Sequence, residues 1–225
     1  MSDAAPEASA RAALEFVKDG QTLGLGTGRA AEAFVRALGA RVAEGLNVRG
    51  VPTSERTEAL AAELAIPLTT LAEAGRLDVT FDGADEVDPA LDVIKGYGGA
   101  LVREKIVAAS SDRLVILVGA EKLVATLGAR GRLPIEVLPF AETLATARLA
   151  ELGCPALRRT DADGAPYMTD NGNLVLDGQV SAIANPGDLD QRILAIPGVL
   201  GTGLFVGMAD AVIVQDGERV EVRRR

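Results

Sequence analysis

The chain has 225 residues, 48% hydrophobic, 24% charged and only 3% aromatic, which suits one large domain and a smaller one with a core of Ala, Val, Leu and Ile. A formal charge of −9 argues against a nucleic-acid partner; the absence of histidine excludes Ser-His and Cys-His catalysis and His-bound metals, leaving carboxylates, lysines and tyrosines for acid–base work. One cysteine, Cys154, read as structural, excludes an intrachain disulfide, and with no signal-peptide pattern and no apolar run of ~20 residues a soluble cytoplasmic protein without a membrane partner is expected.

Taken in order, residues 8–18 read as an Ala-rich helix and 21–25 as a short strand leading into Gly26, Thr27 and Gly28. A helix follows at 30–38 and a strand at 48–52. Ser54 is a fitting N-cap for a helix through Leu64. The strand at 77–81 runs into the acidic stretch Asp82, Asp85, Glu86 and Asp88. A short extended piece at 92–94 precedes the glycine loop at 96–99, which opens a helix at 100–109. The apolar, β-branched run 114–118 reads as a buried parallel strand. Alternation of this kind predicts a parallel sheet with helices on both faces.

After about residue 128 the pattern changes to a small α+β unit. It has an extended run at 133–139, a helix at 141–152, strands at 156–160 and 166–169, and a hairpin turn at Asn171 and Gly172 with its return strand at 173–176. A helix at 188–196 follows, and strands at 204–207, 211–214 and 220–222 are expected to rejoin the first domain. The expected division is 1–128 plus 203–225 for the large domain and 129–202 for the small one.

Four segments carry candidate chemistry. GLGTG at 24–28 stands between strand and helix, where glycines admit close backbone approach and a helix N-terminus faces an anion. Arg29 breaks the dinucleotide fingerprint, and no Gly-Lys-Ser/Thr makes a Walker A loop. Asp82 and Asp85 stand where parallel sheets bind ligands, beyond a strand's carboxyl end. That stretch reads as a solvated acidic loop, a Mg²⁺ site or a sugar site, with Glu86 and Asp88 assigned to the solvated reading. Only four cations are lysines, and Lys95 sits at the mouth of the glycine loop, with Tyr97 inside it and Glu104 just over a turn into the next helix. Glu104 with Lys105 also fits an ordinary exposed helix pair. Lys122 follows the 114–118 strand and suits an anion contact or a surface cap.

Together the order and spacing are more specific. DVTFDGADEVD, IKGYGGALVREKI and LVGAEKLV between 78 and 122 resemble the ribose-5-phosphate isomerase A family. So do GLGTG, Val51-Pro52-Thr53-Ser54, LPIEVLPFA from Leu133, TDNGN from Thr169 and IPGVLGTGLF from Ile196, so that the resemblance covers nearly the whole chain. It implies an α/β fold, a Rossmann-like parallel-sheet domain with a smaller ferredoxin-like α+β domain inserted before the last strands. It further implies interconversion of D-ribose 5-phosphate and D-ribulose 5-phosphate through an enediolate in the non-oxidative pentose phosphate pathway, with no metal or other cofactor, by a homodimer or homotetramer. Residue by residue, Glu104 matches the base, Asp82 and Asp85 the carboxylates on the sugar hydroxyls, Lys95 the cation on the developing charge and Lys122 a substrate-binding lysine. Gly26, Thr27, Gly28, Arg29 and Ala30 match the phosphate loop, and Gly96 and Gly98 the sugar-side loop.

The chain departs from that pattern in three places. Arg29 and Ala30 replace the usual Ser and Thr hydroxyls, no lysine precedes Lys18, and Tyr97 stands where glycine is common. Arg29 is expected to supply a charged donor in place of the hydroxyls. Competing readings are an isomerase of another sugar phosphate and a non-catalytic sugar-phosphate sensor. A sensor regulator would carry a DNA-binding module, for which the acidic charge and residues 1–20 give no support; a CoA transferase would need a longer chain.

Overall fold

The computed structural model describes residues 5–225. In chain order its first elements are α1 (Ala5–Leu14), β1 (Thr22–Leu25), α2 (Arg29–Ala43), β2 (Arg49–Pro52), α3 (Glu55–Glu63), α4 (Leu71–Ala74) and β3 (Val79–Gly83). There follow β4 (Glu86–Val87), β5 (Val93–Ile94), α5 (Leu101–Ala109), β6 (Leu114–Gly119), β7 (Arg132–Val137), α6 (Glu142–Glu151) and β8 (Ala156–Arg158). The chain ends with β9 (Leu174–Gln179), α7 (Pro186–Leu194), β10 (Val199–Thr202), β11 (Leu204–Phe205), β12 (Ala211–Asp216) and β13 (Arg219–Arg224).

The chain divides into two compact units. One holds the described residues up to Ala84 with Arg103–Lys122 and Met208–Arg225; the other holds Asp85–Val102 and Leu123–Gly207. The sequence reading leads to a division after 128 and before 203. The difference lies in β4, β5 and β11, which pair antiparallel with one another in a separate three-stranded sheet of the second unit. The strand at Leu204–Phe205 therefore does not rejoin the large sheet.

The first unit is built on a six-stranded sheet of order β13-β12-β6-β3-β1-β2. All its pairings are parallel except the last hairpin, β12 with β13. Parallel neighbours need a crossover, and the intervening helices supply it. Val79 and Phe81 of β3 point into a core with Leu23, Leu25, Val35, Leu38, Leu117 and Ile213. There the Phe34 ring from α2 stacks on Phe81 with centroids 4.1 Å apart. Side chains alternate along a strand, so Thr80 and Asp82 face the other way. On that side the Thr80 hydroxyl meets that of Ser111 at 2.6 Å, and Gly24 packs flat against Thr80 and Val107 of α5.

The second unit contains a four-stranded antiparallel sheet of order β10-β7-β9-β8. With α6 after β7 and α7 after β9, this is the split βαβ arrangement of ferredoxin-like folds. Its core joins Leu133, Ile135 and Val137 to Ala145, Leu149, Leu176 and Ile193. Cys154 is buried there, and burial pushes its thiol up to about 11. The stretch 166–169, expected as a strand, makes only isolated bridges from Pro166 to Thr160 and from Met168 to Leu174, since Pro166 has no N–H to donate. Three elements escape the sequence pattern: β10, interrupted by Gly201, the two-residue β4 within the acidic stretch, and the single-turn α4.

Candidate active site

In the first unit the loop after β1 and the end of β3 are tied together. The Gly26 amide donates to the Phe81 carbonyl at 2.9 Å. The Asp82 carboxylate is 1% exposed, and its Oδ1 accepts from the amides of Thr27 (3.2 Å) and Gly83 (2.7 Å). Only glycine fits at 26, since a Cβ there would lie 2.4 Å from the Asp82 carboxyl carbon and 2.5 Å from the Phe81 carbonyl oxygen. The two backbone donors fix the direction of that carboxylate.

The hydroxyl of Thr27 turns into a cluster with Thr53 (2.8 Å), Ser54 (2.7 Å) and Thr57 (3.2 Å). Thr57 donates to the Gly26 carbonyl and Thr53 to that of Leu25, so the segment 51–54 braces the glycine loop. Ser54 caps α3 by accepting from the Thr57 amide, as its sequence predicts. The loop then opens α2 through Gly28, at φ 105°, with no side-chain cap. No side chain caps the first amides of this fifteen-residue helix. Arg29 is the first helical residue and is exposed, while Ala30 packs against the core.

Glu104 lies in the first turn of α5 and is only 5% exposed, so it is not half of an exposed helix pair. A carboxylate buried in the first turn of a helix is a candidate acid or base. Lys122 ends the single 3-10 turn after β6 and is half-buried.

In the second unit the half-buried Asp85 accepts from the Tyr97 amide at 3.0 Å, and its own amide donates to Ile94 at 2.7 Å. Lys95, 2% exposed, leaves β5 with its ammonium 5.6 Å from the centroid of Phe205. Gly96 and Gly99 take positive φ, at 102° and 87°, and turn the loop sharply. Tyr97 lies between them under the Arg132 guanidinium, 4.8 Å from ring centroid to the guanidinium carbon. Burial first, and then the charges of Glu86 and Asp85, raise its phenol to about 12 against the opposing pull of Arg132 and Arg130.

Glu86 corrects the sequence reading. It is fully buried, not solvated, because its two oxygens accept from the amides of Gly128 (2.7 Å) and Arg130 (2.8 Å). Asp88 accepts from the amides of Ala90 and Asp92, as a turn-forming aspartate does. Sequence reasoning also misses Glu136. It is fully buried on β7, with Oε1 accepting from Thr169 (3.1 Å), Asn171 (3.0 Å) and Asn173 (2.8 Å). The signal for it was TDNGN, a run of polar side chains around a turn. Among the described residues no cluster of three or more Asp, Glu or Cys is arranged to hold a metal ion.

Each unit by itself carries groups suited to proton transfer or anion binding: buried carboxylates and a helix start without a side-chain cap in the first, a buried lysine and a carboxylate held by a loop amide in the second. A family model described as ribose 5-phosphate isomerase A (phosphoriboisomerase A) matches residues 49–219. The chain is 50% identical over 214 residues to ribose-5-phosphate isomerase A of Parvibaculum lavamentivorans, covering 92% of each. The structure of ribose 5-phosphate isomerase A from Methanocaldococcus jannaschii superposes with a TM-score of 0.93 at 40% identity over 98% of both chains. A D-ribose-5-phosphate isomerase in complex with phospho-erythronic acid superposes with a TM-score of 0.96 at 37% identity over all of both chains.

Proposed function

The chain belongs to the ribose 5-phosphate isomerase A family, and we propose from that premise how it interconverts D-ribose 5-phosphate and D-ribulose 5-phosphate. The observation that carries the reaction is identity to curated isomerases over nearly the full length of both chains. The phospho-erythronic acid bound by a relative is a phosphorylated polyhydroxy acid with an anionic head, the kind of group an enediolate site accepts.

Asp82 and Asp85 take hydrogen bonds from the sugar hydroxyls and pass the ring-opening proton from O1 to the ring oxygen. Glu104 removes the proton from C2 of the open aldose, giving an enediolate. The Lys95 ammonium lies against the developing oxyanion, worth more there than in water because the lysine is desolvated. Glu104 returns its proton at C1, and a proton passes from O2 to O1, so hydrogen is moved and none is gained or lost. The burial of Glu104 and Lys95 and the paired amides on Asp82 support these roles. The phosphate is assigned to the open start of α2 with Arg29 as an added donor, and Lys122 to a further substrate contact; the lack of a side-chain cap at Gly28 and the exposure of Arg29 support this.

The protein is further assigned to the cytoplasm as a homodimer or homotetramer. The lone buried cysteine fits a reducing compartment, and no helix among the described residues is long and apolar enough to cross a membrane. The fully exposed Phe140, with Leu138 and Leu144 beside it in sequence, is apolar surface that a second copy would cover. Light scattering on the purified protein decides that point, a monomer refuting it.

The test of function is conversion of D-ribose 5-phosphate to D-ribulose 5-phosphate by purified protein with a chelator present. Sustained metal-independent turnover is expected. A folded sample without turnover refutes the reading and directs the search to other sugar phosphates.

A further inference from the structure

Lys95 opens a loop rich in glycine, and such a loop does not hold one shape unaided. Here three successive carbonyls are captured by side chains of the same unit. Arg159 Nη1 donates to the carbonyl of Gly96 at 3.0 Å and to that of Tyr97 at 3.1 Å. The Tyr167 hydroxyl donates to the carbonyl of Gly98 at 3.2 Å.

Arg159 is itself fixed. Its Nε and Nη2 form a bidentate pair with Asp177, at 3.0 and 2.6 Å, and its guanidinium lies 5.6 Å from the Tyr167 ring centroid. Asp177 accepts a third bond, at 2.8 Å, from Arg132, the residue stacked over the Tyr97 ring. The contacts thus close on themselves: Tyr97 carbonyl, Arg159, Asp177, Arg132 and back to the Tyr97 ring. A guanidinium fork can serve a carboxylate and two carbonyls at once, and a lysine's point charge cannot reproduce that geometry.

A trans peptide points its N–H opposite to its C=O, so fixing three carbonyls also sets the amides of Tyr97, Gly98 and Gly99. The Tyr97 amide is the one that holds Asp85, and Lys95 is the residue before the first captured carbonyl. We infer that Arg159, seated on Asp177 and assisted by Tyr167, is a positioning residue for the isomerisation, setting the glycine loop and through it Asp85 and Lys95. The inference rests on the isomerase reading given above.

The test uses Arg159→Lys and Tyr167→Phe, the second removing one hydroxyl from a half-buried ring, so that one variant folds even if the other does not. Amide exchange in the peptide spanning 95–101 is measured in the wild type and both variants. Binding sites are counted by titration with phospho-erythronic acid, and kcat is expressed per site. Faster exchange at 97–99 is expected in both, with kcat per site down about 10–100-fold in Arg159→Lys and KM little changed. Exchange at the wild-type rate overturns the clamp. Exchange that quickens while kcat per site stays at the wild-type value overturns the positioning role, because a merely structural arginine would lower the number of sites and not the turnover of each. A wild type without turnover refutes the isomerase reading and the catalytic role with it, while the exchange result still judges the clamp.

Discussion

Replacing Gly26 by alanine adds one methyl group where the loop and β3 touch. Its Cβ would stand 2.4 Å from the Asp82 carboxyl carbon and 2.5 Å from the Phe81 carbonyl oxygen, both far inside van der Waals contact. Neither neighbour swings away freely. The Phe81 carbonyl belongs to a central strand and accepts from the Gly26 amide, and the carboxylate is held by the amides of Thr27 and Gly83. Overpacking of this kind costs about 1–3 kcal/mol. For a chain of this size each kcal/mol lowers the melting temperature by about 2–4 °C, so a fall of about 2–12 °C is expected by circular dichroism. The strain also pushes Asp82 off its two donors, and a displacement of about 1 Å should lower turnover of ribose 5-phosphate about 10²-fold. Gly98→Ala is the control: no heavy atom lies within 4 Å of a Cβ there and its φ is not positive, so its stability should change by less than about 0.5 kcal/mol. A Gly26→Ala enzyme with wild-type melting and turnover, or a Gly98→Ala enzyme as unstable as Gly26→Ala, would refute this reasoning.

Glu104→Gln should keep substrate binding and lose about 10²–10⁴-fold in kcat, and near-normal turnover removes Glu104 from the mechanism. Arg29→Ala should raise KM for the phosphorylated substrate about 2–10-fold at constant kcat; an unchanged KM shows that the helix amides suffice. Glu136→Leu strips the acceptor from the buried Thr169 and Asn173 and from Asn171, and should cost about 2–3 kcal/mol, read as a melting temperature about 4–12 °C lower; wild-type melting would show that these donors find other partners. The chain has two tyrosines and no tryptophan, so near-ultraviolet absorbance follows the two phenols alone. Both should ionise above the ordinary value, Tyr97 at about 12, and Tyr97→Phe should abolish that late step. Since the folded state keeps the Tyr97 proton that the unfolded chain loses near ~10, the Tyr97 contribution is complete below that pH and is lost as pH rises towards about 12. An alkaline melting curve that Tyr97→Phe leaves unaltered would contradict this.

Much of the first unit was legible because local signals and tertiary roles coincide there. The apolar run of β6 is buried along all but its last residue, and Ser54 caps the helix its sequence announces. The turn at Asn171 and Gly172 is also where the pattern puts it. The single-turn α4 was within reach, since Thr70 and Glu73 form a capping box whose spacing is visible in the sequence. What stayed hidden depends on partners far along the chain. Glu86 reads as one more acid in a polar stretch until the amides of Gly128 and Arg130 close on it. Arg159 is one of many arginines, and nothing near it in sequence names Asp177 or the carbonyls of Gly96 and Tyr97 as its partners. Residue type and spacing could point to the groups with chemistry; the groups that hold them still became visible only with the pairing of strands.

The large sheet is open, and an open sheet offers backbone donors and acceptors at each border to any other extended chain. On one side β13 carries Arg219, Glu221, Arg223 and Arg224, so a strand from another molecule would have to settle against a dense row of charge, while Val220 and Val222 stay on the core. On the other side the stretch beyond α3 covers β2, with the Gly50 amide donating to Pro67 and its carbonyl accepting from Thr69. One border is guarded by charge and the other by the chain's own backbone. Neutralising Arg219, Glu221 and Arg223 together would leave the fold's interior untouched and let copies of the chain stick to one another along that strand.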